Sequence, residues 1–241
     1  MKNYILIDIG NTFCKVALCN GRKLLKVYRI EHQHSYDRIG EIADSSNAHK
    51  CIISSVSGGY QNIVEGLEKR GIEVVILSCD TPLPIRLGYD TPHTLGVDRI
   101  AAAVGAHSLF PEDDCIVFDL GTAITIDFIG KNGLFKGGNI SPGMSMRFKA
   151  MHHYTNKLPL VEPSFPKQIN GQSTTEAINN GVVLGIVFEI EEYIRRFPSH
   201  KIIFTGGDSI FFAKILKSTI FVVCNLVLNG LSDIVQMNEN G

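Results

Sequence analysis

The sequence has no surplus of positive charge: Lys plus Arg is 23, Asp plus Glu is 24, and the formal net charge is −1. Without a basic excess there is no electrostatic footprint for nucleic acid or for an acidic membrane surface. No apolar run approaches the roughly 20 residues of a membrane span. Met1-Lys2-Asn3 leads directly into a short strand-like run, not into the apolar core of a signal peptide. The cytoplasm is the expected location. The six cysteines, Cys14, Cys19, Cys51, Cys79, Cys115 and Cys224, include no Cys-x-x-Cys pair. Most sit in apolar runs, where a cysteine behaves as a small hydrophobe, so reduced structural thiols are expected. The eight histidines show no His-x-x-x-His spacing on a convincing helix, and His32/His34 and His152/His153 read as surface residues rather than zinc ligands. Neither Gly-x-x-x-x-Gly-Lys-Ser/Thr nor Gly-x-Gly-x-x-Gly occurs, so any nucleotide site is of another type.

What is present is a phrase that occurs twice. The apolar run Tyr4-Ile5-Leu6-Ile7 ends in Asp8-Ile9-Gly10-Asn11-Thr12, and Cys115-Ile116-Val117-Phe118 ends in Asp119-Leu120-Gly121-Thr122. Each copy is followed by an Asn-Gly pair, Asn20-Gly21 and Asn132-Gly133. The chain therefore reads as two related halves, each offering a carboxylate, a close backbone approach and a hydroxyl. Its 241 residues, 44% hydrophobic and 20% charged, suffice for a globular protein with a substantial core.

The pattern along the first half predicts strands at Ile5–Ile7, Lys15–Cys19 and Leu24–Ile30, with Asn20-Gly21 as a two-residue hairpin turn. A helix around Tyr36–Asp44, a strand at Cys51–Val56, a helix at Gln61–Arg70 stopped by Gly71 and a strand at Val74–Leu77 complete a βββαβαβ order. Thr81–Thr94, rich in Pro and Gly, reads as an extended loop before an Ala-rich helix at Val97–Leu109. Phe110-Pro111-Glu112-Asp113-Asp114 is the best domain boundary, dividing the chain into 1–111 and 112–241. The second half opens the same way, with strands at Cys115–Asp119, Ala123–Phe128 and Leu134–Ile140. A short helix at Gly143–His152 and an interface or mobile loop over Tyr154–Gln172 follow. A long helix capped by Ser173 or Thr174 runs to about Arg196, then come a strand at Lys201–Phe204 and a last helix over Leu226–Met237.

Four motifs can carry chemistry. In Asp8-Ile9-Gly10-Asn11-Thr12, Gly10 permits a tight turn or a phosphate against backbone N–H groups, and Asp8 could hold Mg²⁺ directly or through water. A lone Asp-x-Gly would be an ordinary strand end; its repetition at Asp119 favours phosphate binding. In Gly96-Val97-Asp98-Arg99, Asp98 can accept a proton from a hydroxyl and Arg99 can clamp a carboxylate or phosphate. An acid in a first helical turn, favoured by the dipole, is the other reading. Gly137-Gly138-Asn139-Ile140-Ser141-Pro142-Gly143 can deliver backbone to a ligand, as can Thr205-Gly206-Gly207-Asp208, or both are structural turns.

Together these motifs, in this order, resemble type III pantothenate kinases within the sugar-kinase, actin and heat-shock-chaperone ATPase superfamily. The resemblance implies an α/β fold of two duplicated βββαβαβα-type halves, actin-like and ribonuclease H-like, with the active-site cleft between them. It implies ATP-dependent phosphorylation of pantothenate to 4′-phosphopantothenate, the first step of coenzyme A biosynthesis. Asp8, Ile9, Gly10, Asn11, Thr12, Phe13, Cys14 and Lys15 would form the phosphate loop, and Thr122 would contact ATP. Asp98 would be the base, and Tyr89, Gly96, Val97 and Arg99 would hold pantothenate. Asp119 would bind a monovalent cation, potassium or ammonium, beside ATP with Mg²⁺. Thr174 would reach pantothenate from the neighbouring subunit of a homodimer. Phe13-Cys14-Lys15 departs from the small or polar residues more usual there. The alternatives are a non-catalytic transcriptional accessory factor on the same fold, or a kinase for another small hydroxy acid.

Overall fold

In a computed structural model, which describes residues 3–56 and 58–239, the apolar runs become the central strands of two sheets. The first sheet contains β1 (Asn3–Ile9), β2 (Cys14–Asn20), β3 (Lys23–Ile30), β4 (Ala48–Ser55) and β5 (Glu73–Ile76), in the order β3-β2-β1-β4-β5. The second contains β6 (Arg86–Leu87), β7 (Cys115–Leu120), β8 (Ala123–Ile129), β9 (Leu134–Pro142), β10 (Lys201–Thr205) and β11 (Phe221–Val222), in the order β11-β10-β7-β8-β9-β6. Without β6, the second order read backwards is β9-β8-β7-β10-β11, which repeats the first strand for strand. β1 runs parallel to β4 and β7 parallel to β10. The duplication in the sequence is thus a duplication of topology.

The helices are α1 (Ser35–Asp44), α2 (Gln61–Glu68), α3 (Val97–Leu109), α4 (Met144–His153), α5 (Thr174–Arg196), α6 (Ser209–Ile215) and α7 (Leu226–Met237). α3 and α7 have the bounds that the sequence predicts. α2 ends as expected before Gly71, which takes φ +75° while Ile72 N–H donates to the Leu67 carbonyl. α5 starts as expected behind Ser173, whose Oγ accepts from Glu176 N–H at 3.2 Å. No described helix is long and apolar enough to cross a membrane.

Three details differ from expectation. The first hairpin turns at Gly21-Arg22, because Asn20 stays in the ladder opposite Lys23 and its Nδ2 donates to Asn3 Oδ1 at 2.7 Å. The segment 81–94 is not simply extended: it contains β6 and a 3-10 turn at Pro92–Thr94. β11 has no sequence signal either. Strands of two residues carry no periodicity, so only tertiary pairing defines them.

The described chain groups into two compact units. The first comprises residues 1–113, 128–137 and 225–241, and the second 114–127 and 138–224. These are not the halves of the duplication. The division at 111/112 follows the repeat, and we keep it as a proposal, whereas packing assigns α7 and residues 128–137 to the first unit.

In the first unit, alternation sorts the side chains of β1. Ile5, Ile7 and Ile9 join Cys14, Val16, Ile53, Ile39 and Leu67 in the core beneath α1 and α2. Leu6 and Asp8 therefore face the other side, where α3 and α7 pack against β1 and β4. Those two helices cross closely because small residues meet. A Cβ on Gly230 would lie 1.8 Å from the Ala101 carbonyl oxygen, and one on Gly105 would lie 2.6 Å from that of Leu226. Neither neighbour is a flexible side chain, so backbone must shift to admit a methyl group. Gly230→Ala is therefore expected to destabilise the protein by about 1–3 kcal/mol, read as a lower urea midpoint at unchanged slope.

Candidate active site

In the first unit the strand register builds the site. Asp8 on β1 stands opposite Lys15 on β2 and Ser54 on β4, and Lys15 stands opposite Arg29 on β3. Residues opposed in register share a face, so Ser54, Asp8, Lys15 and Arg29 form one polar row. Ser54 Oγ donates to Asp8 Oδ1 at 3.3 Å. Ile9 and Cys14 occupy the opposite, buried face, so from these two only the backbone is available to a phosphate loop. Between them Gly10, Asn11, Thr12 and Phe13 form an open turn closed by Gly10 N–H donating to the Phe13 carbonyl at 3.1 Å. Asn11 and Thr12 are exposed at its tip. The Arg29 guanidinium lies 3.7 Å from the centre of the Phe13 ring, a cation–π contact that fixes the side of this turn.

α3 adds the second carboxylate. Asp98 sits in its first turn, where Asp98 Oδ1 accepts Arg99 N–H at 2.8 Å. Gly96 leaves space for this carboxylate, since a Cβ there would lie 2.5 Å from the same oxygen and the Asp98 side chain would have to turn away. Burial pushes the Asp98 carboxyl above its ordinary range, against the stabilising backbone N–H and charge of Arg99. Burial, and then the charge of Asp98, push Asp8 up to about 6, although Lys15 and the Ser54 hydroxyl pull it down. The two acids are thus electrostatic neighbours. A raised carboxylate is a better proton acceptor near neutral pH than an ordinary one.

Arg99 itself is 5% exposed. Its guanidinium lies 5.9 Å from the Tyr89 ring centre and 5.8 Å from that of Phe135. The two rings meet edge to face at 6.0 Å. β6 sets this arrangement: Leu87 pairs with Phe135, and Gly88 N–H donates to the Phe135 carbonyl at 2.9 Å. Tyr89 is thereby held one residue beyond. Aromatic walls around a buried guanidinium suit a small organic anion with an apolar body.

In the second unit three motifs converge at the end of β7. Asp119 is opposed on β10 by Thr205, as Asp8 is opposed by Ser54. Gly206, at φ +86°, presses against it: a Cβ there would lie 2.5 Å from Asp119 Oδ1. Asp208 N–H donates to the Leu120 carbonyl at 2.9 Å, and burial raises the Asp208 carboxyl. Gly143 N–H donates to the Thr122 carbonyl at 3.1 Å, and a Cβ on Gly143 would overlap the carbonyls of Gly121 and Thr122. The glycines of both later motifs are thus required by the second Asp-x-Gly turn. Thr174 is exposed in the first turn of α5.

Arg29, Ser54 and Phe135 were not visible as site residues in the sequence. Each lies in an ordinary strand pattern, and only register places Ser54 and Arg29 in line with Asp8.

The raised Asp8 carboxyl has a consequence for stability. Below the ordinary carboxylate value of 3.8 it is protonated folded or unfolded, and contributes nothing. As pH rises from there to about 6 the unfolded chain ionises first, so stability falls, and above about 6 the full penalty is present. Asp8→Asn is therefore expected to stabilise the ligand-free protein at pH 7 by about 1–3 kcal/mol. The gain should shrink to zero below pH 4, as measured by denaturant melts across pH.

Known proteins resemble this chain over nearly its whole length. The profile of the type III pantothenate kinase family matches residues 4–196. A type III pantothenate kinase of Cytophaga hutchinsonii is 42% identical over 241 residues, covering 97% of this chain and 99% of its own. One of Phocaeicola vulgatus is 41% identical over 239 residues, covering 98% of each. Among solved structures, a Campylobacter jejuni protein provisionally described as a Baf family transcriptional activator is 26% identical, with TM-score 0.67 over 98% of this chain and all of that one. Component A of the (R)-2-hydroxyglutaryl-CoA dehydratase of Acidaminococcus fermentans shares the fold at 13% identity, with TM-score 0.58 over 98% and 97% of the two chains. The repeated strand order, the paired Asp-x-Gly turns and these full-length matches lead to one conclusion: the chain belongs to the type III pantothenate kinase family.

Proposed function

We propose that the chain transfers the γ-phosphoryl group of ATP to the primary hydroxyl of pantothenate, giving 4′-phosphopantothenate at the start of coenzyme A biosynthesis. Family membership supports the reaction. The observation that carries the assignment of roles is the adjacency of Asp98 and Arg99. One helical turn presents a carboxylate raised by burial and, one residue on, a buried guanidinium walled by Tyr89 and Phe135.

In this reading Arg99 pairs with the pantothenate carboxylate, Tyr89 and Phe135 flank its apolar body, and Gly96 and Val97 line the backbone side. Asp98 orients the hydroxyl and takes its proton as the oxygen attacks phosphorus in line with the departing ADP oxygen. Little else is asked of the protein than positioning and charge stabilisation. The loop over residues 8–15, with the Asn11, Thr12 and Lys15 side chains, cradles the phosphates of Mg²⁺-ATP at its exposed tip, and Thr122 touches the nucleotide from the second half. The divalent ion neutralises phosphate charge that Asp8 and Asp98 would otherwise repel.

The oxygen donors at the end of β7, the Asp119 carboxylate among them, are the type that hard cations take, and we assign a potassium or ammonium ion to them. A homodimer is part of the same proposal. It is supported by apolar side chains left exposed on α4, α5 and the segment between them, Met146, Met151 and Phe188 with Tyr154 at 83% and Ile169 at 71%. Thr174, exposed on the same unit, would then serve the partner's pantothenate. The cytoplasm, where free thiols persist, suits the six free cysteines.

Three measurements test this. Purified protein should phosphorylate pantothenate in preference to other hydroxy acids and polyols, and faster in potassium than in sodium. Turnover only with another acceptor would overturn the substrate, and turnover with none would favour a non-catalytic regulator. Asp98→Asn should lose roughly 10²–10⁴-fold in kcat while staying folded, with a thermal midpoint no lower than that of the unaltered protein because a carboxyl raised by burial is removed, whereas Arg99→Lys should act mainly on KM for pantothenate. Light scattering should give a dimer mass that Phe188→Asp converts to monomer with loss of activity.

A further inference from the structure

The segment between β5 and α3 brings together three side chains that the kinase reading does not use. Cys79 Sγ and His93 Nδ1 lie 3.1 Å apart, and these atoms and a carboxylate oxygen of Asp80 all lie within 4.8 Å of one another. Zinc bonded at roughly 2.0–2.3 Å to sulfur, nitrogen and oxygen keeps its ligands about 3.3–3.8 Å apart, so small rotations of the side chains would suffice. We propose that Cys79, Asp80 and His93 bind Zn²⁺ as three protein ligands, with water in the fourth position.

Two further features support a built site. First, both ligand-bearing turns are fixed without a metal. Around Cys79-Asp80, Thr81 Oγ1 accepts Ser78 N–H at 3.0 Å, Ser78 Oγ accepts Asp80 N–H at 3.2 Å, and Thr81 N–H donates to the Ser78 carbonyl at 3.3 Å. His93 sits in the 3-10 turn Pro92–Thr94, where Thr94 N–H and Oγ1 both donate to the Thr91 carbonyl, at 3.0 and 2.8 Å. A metal therefore meets ligands whose backbone needs no reordering. Second, the donor set selects. Thiolate and imidazole favour zinc over magnesium or calcium, which take oxygen, so the site would not compete for the ion that accompanies ATP. Cys79 is half-buried and Asp80 and His93 are exposed, which leaves an entry path.

Zinc here would close the segment from 79 to 93 on itself. That segment carries β6 and Tyr89 and leads into Gly96-Val97-Asp98-Arg99, so occupancy would limit the motion of a substrate wall. The proposal does not rest on the kinase reading, and its test needs no turnover.

The full-length protein, reduced and freed of metal with a chelator, is titrated with Zn²⁺ against a chromophoric competitor and, separately, with Co²⁺. One zinc per chain is expected, with a rise in thermal midpoint. The cobalt form should show a thiolate-to-metal charge-transfer band. Cys79→Ser and His93→Ala should each weaken zinc at least tenfold and Cys79→Ser should remove the band, while Cys224→Ser, at an exposed thiol elsewhere, should change neither. No stoichiometric binding, no band in the unaltered protein, or ligand variants that bind zinc as tightly as the unaltered protein would show that thiol and imidazole only hydrogen-bond to each other.

Discussion

Two half-buried carboxylates held as electrostatic neighbours are the constraint around which the first unit is arranged. Asp8 at the end of a central strand and Asp98 in the first turn of α3 each resist ionisation, and Asp8 resists it more because Asp98 is near. Such a pair persists in a folded protein only if other interactions over-determine it. The Ser54 hydroxyl, the Lys15 charge and the Arg99 backbone N–H each relieve part of the cost. The close α3–α7 crossing supplies the remaining rigidity by fixing the helix that carries Asp98.

The two Asp-x-Gly copies share topology and differ in what they leave open. The first turn spends four residues between strands, Gly10-Asn11-Thr12-Phe13, and exposes its tip. The second spends two, Gly121-Thr122, and Gly143 and Gly206 close over it. The longer copy leaves Asn11 and Thr12 open to solvent, as the proposed phosphate loop requires. The shorter one is a packed platform on which a carboxylate is held still. Each Asp has kept a hydroxyl-bearing neighbour on the parallel strand beside it, Ser54 and Thr205. Duplication thus preserved the strand-to-strand chemistry while the turns diverged.

Most of this was legible in the residues. The repeated phrase announced the repeated sheet, and Ser173, Gly71 and the Ala-rich run marked helix ends and a helix body. Asp98-Arg99 by itself reads equally well as an ordinary helix start with a dipole-favoured acid, and only the resemblance of the whole motif set to the family singled it out. What stayed hidden depends on pairing between distant strands. Arg29 and Ser54 acquire meaning only through register with Lys15 and Asp8. Phe135 acquires it only because a two-residue strand, too short for any pattern, docks Tyr89 beside it. The Cys79, Asp80 and His93 cluster was equally invisible, since its ligands come from two separate turns with no motif spacing.

The last helix has a bearing on how the chain comes to be folded at all. α7 packs on α3 and against β1 and β4, and so belongs to a unit whose other elements are almost all made first. On a ribosome adding roughly 5–20 residues per second, the segment 114–224 must be synthesised before α7 emerges, a wait on the order of ten seconds. During that wait the small-residue face of α3, with Ala101 and Gly105, is without its cover. Contacts this distant in sequence also slow folding, because the loop must close before they can form. The surface that later holds Asp98 in place is therefore among the last to be completed, and for a nascent chain it is the stretch most in need of protection from other chains.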